Sequence, residues 1–180
     1  MRASGKHYST QDEEWTAKVP GGDGVGLLAD GTRVYAIAAS GMIAEKAAIG
    51  KDIMVKLPAG IDDATAAALP NAIIGSALAL RFRAGLQKGE TILVNGATGV
   101  TGKTSVQIAK YYGAKKVIAT GRNEQSLKAL LTLGADEVVS LKQDDESLVS
   151  QIKGIHRESP VDVRISRFQV RVWVPGAAKK

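Results

Sequence analysis

The chain has no cysteine and few aromatic or imidazole side chains. Its 180 residues include two histidines, His7 and His156, and aromatic residues make up 4% of the total. Without thiols there can be no disulfides, no cysteine nucleophile and no thiolate zinc site. Two imidazoles are also too few for an all-histidine metal cluster. The sequence therefore predicts no bound metal.

Long apolar runs are scarce as well. No stretch approaches the ~20 apolar residues that cross a bilayer, so the sequence predicts no membrane partner. The first residues, MRASGKHYSTQDEEW, lack the apolar run of a signal peptide. The expected location is cytoplasmic.

The excess of positive over negative charge lies at the end of the chain. The formal net charge is +6, but five of the 24 basic residues and none of the 18 acids follow Val163. The first 163 residues, with 19 basic and 18 acidic side chains, are therefore nearly neutral. They show no stripe of Lys and Arg with interleaved aromatics, so no nucleic-acid partner is predicted.

The pattern of apolar residues predicts an α/β protein with a mostly β first half. Glycine and proline punctuate the first 60 residues, and strands are predicted over 33–39 and 53–57 after a turn cluster at 20–24. A helix over 64–69 is predicted to stop at Pro70, and Asn71 to cap a second over 72–82. Strands and helices then alternate, which predicts a parallel sheet covered by helices. The predicted strands are 91–95, 116–120, 137–140 and one beginning at 161; the predicted helices are 103–112, 124–133 and 148–155.

A glycine-rich turn joins the first of these strands to a helix. Gly96, Gly99 and Gly102 are spaced three apart in GATGVTG. Missing side chains let the backbone approach a pyrophosphate, and a helix N-terminus offers unpaired N–H groups. The alternative is a tight strand-to-helix turn that binds nothing.

The same segment permits a nucleotide triphosphatase interpretation. ATGVTGKT, residues 97–104, is one residue short of the triphosphate-binding loop, with Lys103 for phosphates and Thr104 for magnesium. Such a site also needs an aspartate at the end of a later strand. VVSL at 138–141 has none, and Asp162 falls inside its predicted strand, so this interpretation is a minor alternative.

Arg122 distinguishes the two cofactor classes. It lies 20 positions after Gly102, where dinucleotide sites place the residue that contacts the adenosine ribose. An arginine cannot accept hydrogen bonds from ribose hydroxyls, but its guanidinium can pair with a 2′-phosphate. The sequence predicts NADPH rather than NADH.

From Val19 to about Val163 the chain resembles the zinc-independent quinone oxidoreductases of the medium-chain dehydrogenase/reductase superfamily. The segments that carry this resemblance occur in the family's order: PGGDGVG, DGTRVY, GMIAE, KLP, AAALP, KGETILV, the glycine turn, QIAK and LGADEV. The resemblance implies a GroES-like β domain, a Rossmann domain that binds NADPH, and hydride transfer to a quinone, enone or similar carbonyl. Zinc members would have His-Glu at Gly22-Asp23.

The resemblance also implies site residues and domains. Tyr8 matches a tyrosine near the substrate carbonyl and is the candidate catalytic residue. The domains would be a partial GroES-like domain at 1–60, the first half of an NADP-binding Rossmann domain at 61–163, and a divergent basic tail at 164–180. The predicted cofactor-binding residues are Gly96, Thr98, Gly99, Val100, Thr101, Gly121, Arg122 and Asn123.

Family members are roughly twice as long, so the chain is expected to be truncated at both ends. The tail alternates apolar and polar residues from Phe168 to Val174, which suits a strand, but the sequence offers no obvious partner for it. Impaired turnover is expected because the nicotinamide half of the site would be incomplete. One alternative is a non-catalytic remnant of the family that binds nucleotide. The other is a non-catalytic remnant that forms a homo-oligomer or pairs with a full-length relative.

Overall fold

The computed structural model describes residues 19–38 and 41–166, and the backbone of 169–172. The chain divides into two compact units between Pro70 and Asn71. The predicted domain limits at residues 60 and 163 remain predictions. The predicted α/β class is confirmed, because a small antiparallel sheet precedes a mainly parallel one.

The first unit contains a three-stranded antiparallel sheet in the order β1-β2-β3. Its strands are β1 (Asp23–Leu27), β2 (Arg33–Ala38) and β3 (Ile49–Lys56). The sequence did not predict β1, which begins inside the glycine-rich segment expected to be a turn. Glycines weaken a strand, but here the ladder to β2 supplies the backbone hydrogen bonds.

Helix α1 (Asp63–Leu78) runs through Pro70, so the predicted break at that residue is wrong. Proline removes one backbone donor but has a φ that a helix accepts, and the turn can continue when neighbouring bonds hold. Asp62 lies just before the first helical residue, and its carboxylate accepts a hydrogen bond from the Thr65 N–H at 2.9 Å. That bond keeps the pKa of Asp62 below its usual value. A π-helical turn, Ala79–Arg83, follows.

The stretch Asp63–Arg83 also has the length and hydropathy of a membrane-spanning helix. The expectation that no stretch approaches this length and apolar content is therefore wrong for these residues. This stretch resembles a membrane-spanning helix in length and composition only, and core helices can meet the same two criteria.

The second unit is built on a five-stranded sheet in the order β6-β5-β4-β7-β8. The strands are β4 (Thr91–Asn95), β5 (Lys116–Gly121), β6 (Glu137–Ser140), β7 (Val163–Ser166) and β8 (Gln169–Val172). The first four are parallel, as predicted. They are connected by α2 (Val100–Tyr111), α3 (Glu124–Thr132) and α4 (Asp145–Glu158), the first and last of which begin three residues before their predicted starts.

Alternate residues of these strands enter two apolar clusters. Ile92 and Val94 belong to a cluster that also includes Val106 of α2 and Leu130 of α3. Leu93 belongs to a smaller cluster with residues of α4. The parallel sheet is thus covered on both faces, which explains why its strands are apolar at successive positions.

Strand β8 corrects the expectation that the tail lacks a partner. It pairs with β7 in the antiparallel direction, with Ser166 opposite Gln169 and Val163 opposite Val172. The sequence did not reveal this pairing because hairpin partners are set by the turn and register rather than by the alternation alone.

Candidate cofactor-binding site

The glycine turn lies between the end of β4 and the start of α2. Gly96 has a φ of +73°, a conformation that side-chain-bearing residues rarely adopt. Gly99 precedes the first helical residue, and no side chain caps the helix there. The backbone N–H groups of the first turn are therefore available to an acceptor with negative charge.

Gly102 holds helix α2 close to the turn. A Cβ atom at this position would lie 2.5 Å from both the Ala97 Cα and the Gly96 carbonyl oxygen. A Cβ atom at Gly99 would lie 3.8 Å from its nearest neighbour, the Gly96 carbonyl oxygen, and a Cβ atom at Gly96 would have no neighbour within 4 Å. Gly102 is therefore required by packing, while Gly96 and Gly99 leave open space above the backbone.

The end of β5 lies against this turn. The Ala97 N–H donates to the Thr120 carbonyl oxygen at 2.8 Å. A Cβ atom on Gly121 would lie 2.7 Å from the Thr98 Cγ2 atom. The structure thus brings together the two segments that the sequence singled out, at the carboxyl ends of β4 and β5, with Arg122 exposed beside them.

A cavity of about 520 Å³ opens at this edge of the sheet. The glycine turn forms one wall, including Val100 and Thr101 from the predicted site, and the end of β7 forms another. Its volume lies within the range of pockets that bind small ligands and cofactors. Ligands of open parallel sheets bind at this carboxyl edge.

A buried cluster of hydroxyl groups anchors the first turn of α2, and the sequence analysis missed it. Ser76 of α1 and Ser105 of α2 are almost fully buried. The hydroxyl oxygens of Ser76, Thr104 and Ser105 lie 3.0, 2.9 and 2.8 Å from the Thr101 carbonyl oxygen. The sequence signal for this cluster was a single serine, Ser76, in the otherwise mostly apolar sequence of α1.

This cluster bears on the triphosphatase alternative. The Thr104 hydroxyl, which that interpretation assigns to magnesium, also lies 3.1 Å from the Ser76 hydroxyl and so contacts the interior of the protein. Its position gives no support to a metal-binding role.

Two predicted site residues remain, Asn123 and Tyr8, and only Asn123 is described by the structure. The Asn123 side chain accepts a hydrogen bond from the Ser126 N–H at 2.8 Å and so caps α3. The cofactor-binding role of Asn123 remains a prediction. Tyr8, the candidate catalytic residue, lies outside the described residues.

Asp23, at the position where zinc members would have Glu, is bound to a tyrosine. The Tyr35 hydroxyl donates to the Asp23 carboxylate at 2.6 Å. Burial, reinforced by this bond, raises the pKa of Tyr35 to about 12. Within residues 19–38 and 41–166, no three His, Asp or Glu side chains form a group that could hold a metal.

Comparison with known proteins gives consistent matches. The family model described as zinc-binding dehydrogenase matches residues 100–168. Quinone oxidoreductase from Rattus norvegicus is 34% identical over 145 residues, which is 80% of this chain and 43% of that protein. The chain therefore spans less than half the length of this curated relative.

Solved structures of quinone oxidoreductases share the fold. The enzyme from Thermus thermophilus, solved alone and in complex with NADPH, matches with a TM-score of 0.64 and 32% identity, covering 78% of this chain and 46% of that one. Escherichia coli quinone oxidoreductase complexed with NADPH gives a TM-score of 0.66 and 26% identity, covering 81% and 47%. With the glycine turn at the end of β4 and the order of strands and helices around it, these matches show that the chain belongs to the quinone oxidoreductase branch of the medium-chain dehydrogenase/reductase superfamily.

Proposed function

We propose that the chain binds NADPH and belongs to an oxidoreductase that transfers hydride to a quinone, enone or similar carbonyl without zinc. The observation that carries the proposal is the contact between the glycine turn and the end of β5, which brings Arg122 to the same edge as the open helix N-terminus. The NADPH complexes of the two similar enzymes support it. The expected cytoplasmic location is part of the proposal.

The residues at this edge fit a dinucleotide. Gly96 and Gly99 leave room above the backbone, where a Cβ atom would otherwise stand. The N–H groups of Val100 and Thr101, in the uncapped first turn of α2, would hold the pyrophosphate. The Arg122 guanidinium would pair with the 2′-phosphate, since it can form two parallel hydrogen bonds to phosphate oxygens.

The bound cofactor would supply the hydride. The chain's own contribution to the reaction would be orientation of the cofactor by the turn, and polarisation of the acceptor oxygen by the Tyr8 hydroxyl. Because the chain spans under half of its relatives, catalysis by the whole protein is part of the proposal rather than of the described site.

Calorimetric titration of the chain with NADPH and with NADH tests the cofactor assignment. Arg122→Glu should weaken NADPH binding by about tenfold to a hundredfold, because it replaces a charge-assisted pair with a repulsion. NADH binding should change little. The matched control is Arg157→Glu, an exposed arginine of α4, which should leave both affinities unchanged. Equal losses for the two cofactors in the Arg122 variant would contradict the NADPH assignment.

The second candidate function is a non-catalytic nucleotide-binding or interaction protein of the same family. The residues described at the site, the glycine turn and Arg122, would account for nucleotide binding alone. Light scattering after size exclusion, run beside an NADPH-oxidation assay with a small quinone, separates the two. Assembly and NADPH binding without turnover would support the second candidate, and NADPH oxidation that depends on the quinone would support the first.

A further inference from the structure

The buried hydroxyl cluster meets the first turn of α2 at a single backbone group. Its members are Ser76, Thr104 and Ser105, whose hydroxyl oxygens all lie within 3.0 Å of the Thr101 carbonyl oxygen. The Ser76 hydroxyl oxygen also lies 3.0 Å from that of Ser105 and 3.1 Å from that of Thr104. Each hydroxyl has one proton to donate, so the three form a connected network around one acceptor.

Ser76 is the member of the cluster that local helix geometry does not explain. Thr104 and Ser105 follow Thr101 by three and four residues, and such side chains often bond to a carbonyl of the preceding turn. Ser76 comes from α1, 25 residues before Thr101, and is 0% exposed. A buried hydroxyl costs free energy unless it is hydrogen-bonded, so this bond ties α1 to one backbone atom of α2.

The Thr101 carbonyl belongs to the same peptide group as the Gly102 N–H. A trans peptide group is planar, so holding its oxygen also fixes the direction of its N–H on the opposite side. The Lys103 N–H makes the first bond within α2, to the Gly99 carbonyl oxygen at 2.9 Å. Gly102 comes before it, so the helix supplies no acceptor for the Gly102 N–H, and this residue lines the cavity at the glycine turn.

We propose that the hydroxyl cluster positions the Gly102 N–H as a third donor to the cofactor pyrophosphate, beside the N–H groups of Val100 and Thr101. The inference rests on the proposed function, which assigns those two groups to the pyrophosphate. The cluster's three side chains are positioning residues, because they act through the peptide group. Their bonds to the carbonyl oxygen polarise that group and strengthen its N–H as a donor. A donor already held in place needs no reorientation when the cofactor binds.

Ligands that each lack one phosphate feature separate this inference from the cofactor assignment. NADH has the pyrophosphate but no 2′-phosphate, and adenosine 2′-monophosphate has the 2′-phosphate but no pyrophosphate. A misplaced pyrophosphate donor should therefore weaken NADPH and NADH binding by the same factor and spare adenosine 2′-monophosphate. Arg122→Glu should do the reverse, with losses for NADPH and adenosine 2′-monophosphate and little change for NADH.

Calorimetric titration of the chain with these three ligands tests the cluster. Ser76→Ala removes the hydroxyl supplied by α1, and Thr104→Val removes another while nearly keeping the shape of the side chain. Each should weaken NADPH and NADH binding by about threefold to tenfold, the worth of one hydrogen bond, and leave adenosine 2′-monophosphate within about twofold. Thr104→Ser retains the hydroxyl and should retain the parent affinities. Ser150→Ala, at an exposed serine of α4, is the matched control and should also retain them.

The results that would overturn the inference are distinct from those that bear on the proposed function. Unchanged NADPH and NADH binding in the folded Ser76→Ala and Thr104→Val chains would show that the cluster serves folding alone. Equal losses for all three ligands would show a general disturbance of the site, and equal losses in Thr104→Ser and Thr104→Val would show that the hydroxyl is not the cause. A parent chain that binds neither NADPH nor NADH would contradict the proposed function itself, and this inference with it.

Far-UV circular dichroism checks that each variant is folded before its affinities are compared. Thr104 is half-buried, so its two variants keep the test valid if Ser76→Ala does not fold.

Discussion

The antiparallel sheet of β1–β3 and the parallel sheet of β4–β7 differ in how much apolar surface they bury. In β4 four of five residues are buried, and in β5 five of six. In the antiparallel sheet Leu27, Ile37 and Val55 are 73%, 50% and 65% exposed. The glycine turn and Arg122 thus belong to the sheet with a dense core of its own, where backbone positions are well defined.

The largest expected effect on stability comes from truncating one leucine to alanine in each of the two units. Leu130→Ala removes a side chain that is 0% exposed and should lower the free energy of unfolding by about 2–5 kcal/mol. Leu27→Ala removes one that is 73% exposed and should change it by less than about 0.5 kcal/mol. Urea denaturation followed by circular dichroism measures both. Similar losses would remove the contrast between the two regions.

Substitutions at two glycines of the turn compare a position that is closely packed with one that is open. Gly102→Ala should cost about 1–3 kcal/mol, because its Cβ atom would overlap the Ala97 backbone. Gly99→Ser is the control: its backbone φ of −78° suits any residue and serine is a favourable helix cap, so stability should not fall. Thermal unfolding compares the two. A stable Gly102 variant would show that helix α2 can shift without loss.

The smallest effect concerns pH and the antiparallel sheet. Because the pKa of Tyr35 is raised from 10 to about 12, folding favours the neutral phenol. This contribution is complete below pH 10 and is lost as the pH rises from 10 through 12. Tyr35→Phe should therefore flatten the loss of stability over that range.

Tyr111→Phe, at a tyrosine that is 86% exposed, should retain the slope of the parent chain in that range. Unfolding midpoints in urea, measured at steps of about one pH unit from 9 to 12, would compare the three chains. A Tyr35 variant with the parent slope would show that the hydrogen bond to Asp23 does not couple ionisation to folding.

The strands of the parallel sheet were predicted from the sequence more accurately than those of the antiparallel sheet. The strands β4, β5 and β6 were predicted to within one residue, since a helix-covered strand must be apolar at successive positions and is bounded by turn residues. In the first unit β1 was missed, because a glycine-rich strand has no apolar alternation to detect. The predicted helix break at Pro70 was also wrong. The low helix propensity of one proline is outweighed there by the helical residues on both sides of it.

By itself the sequence determined the α/β order, the glycine turn and the position of Arg122, because each depends on residue types at short, fixed spacings. Only the tertiary structure decided what touches them: Gly121 against Thr98, and the hydroxyl of Ser76 against the Thr101 carbonyl. These contacts join residues far apart in the chain. Crossover and register fix such contacts, and neither can be read from local pattern.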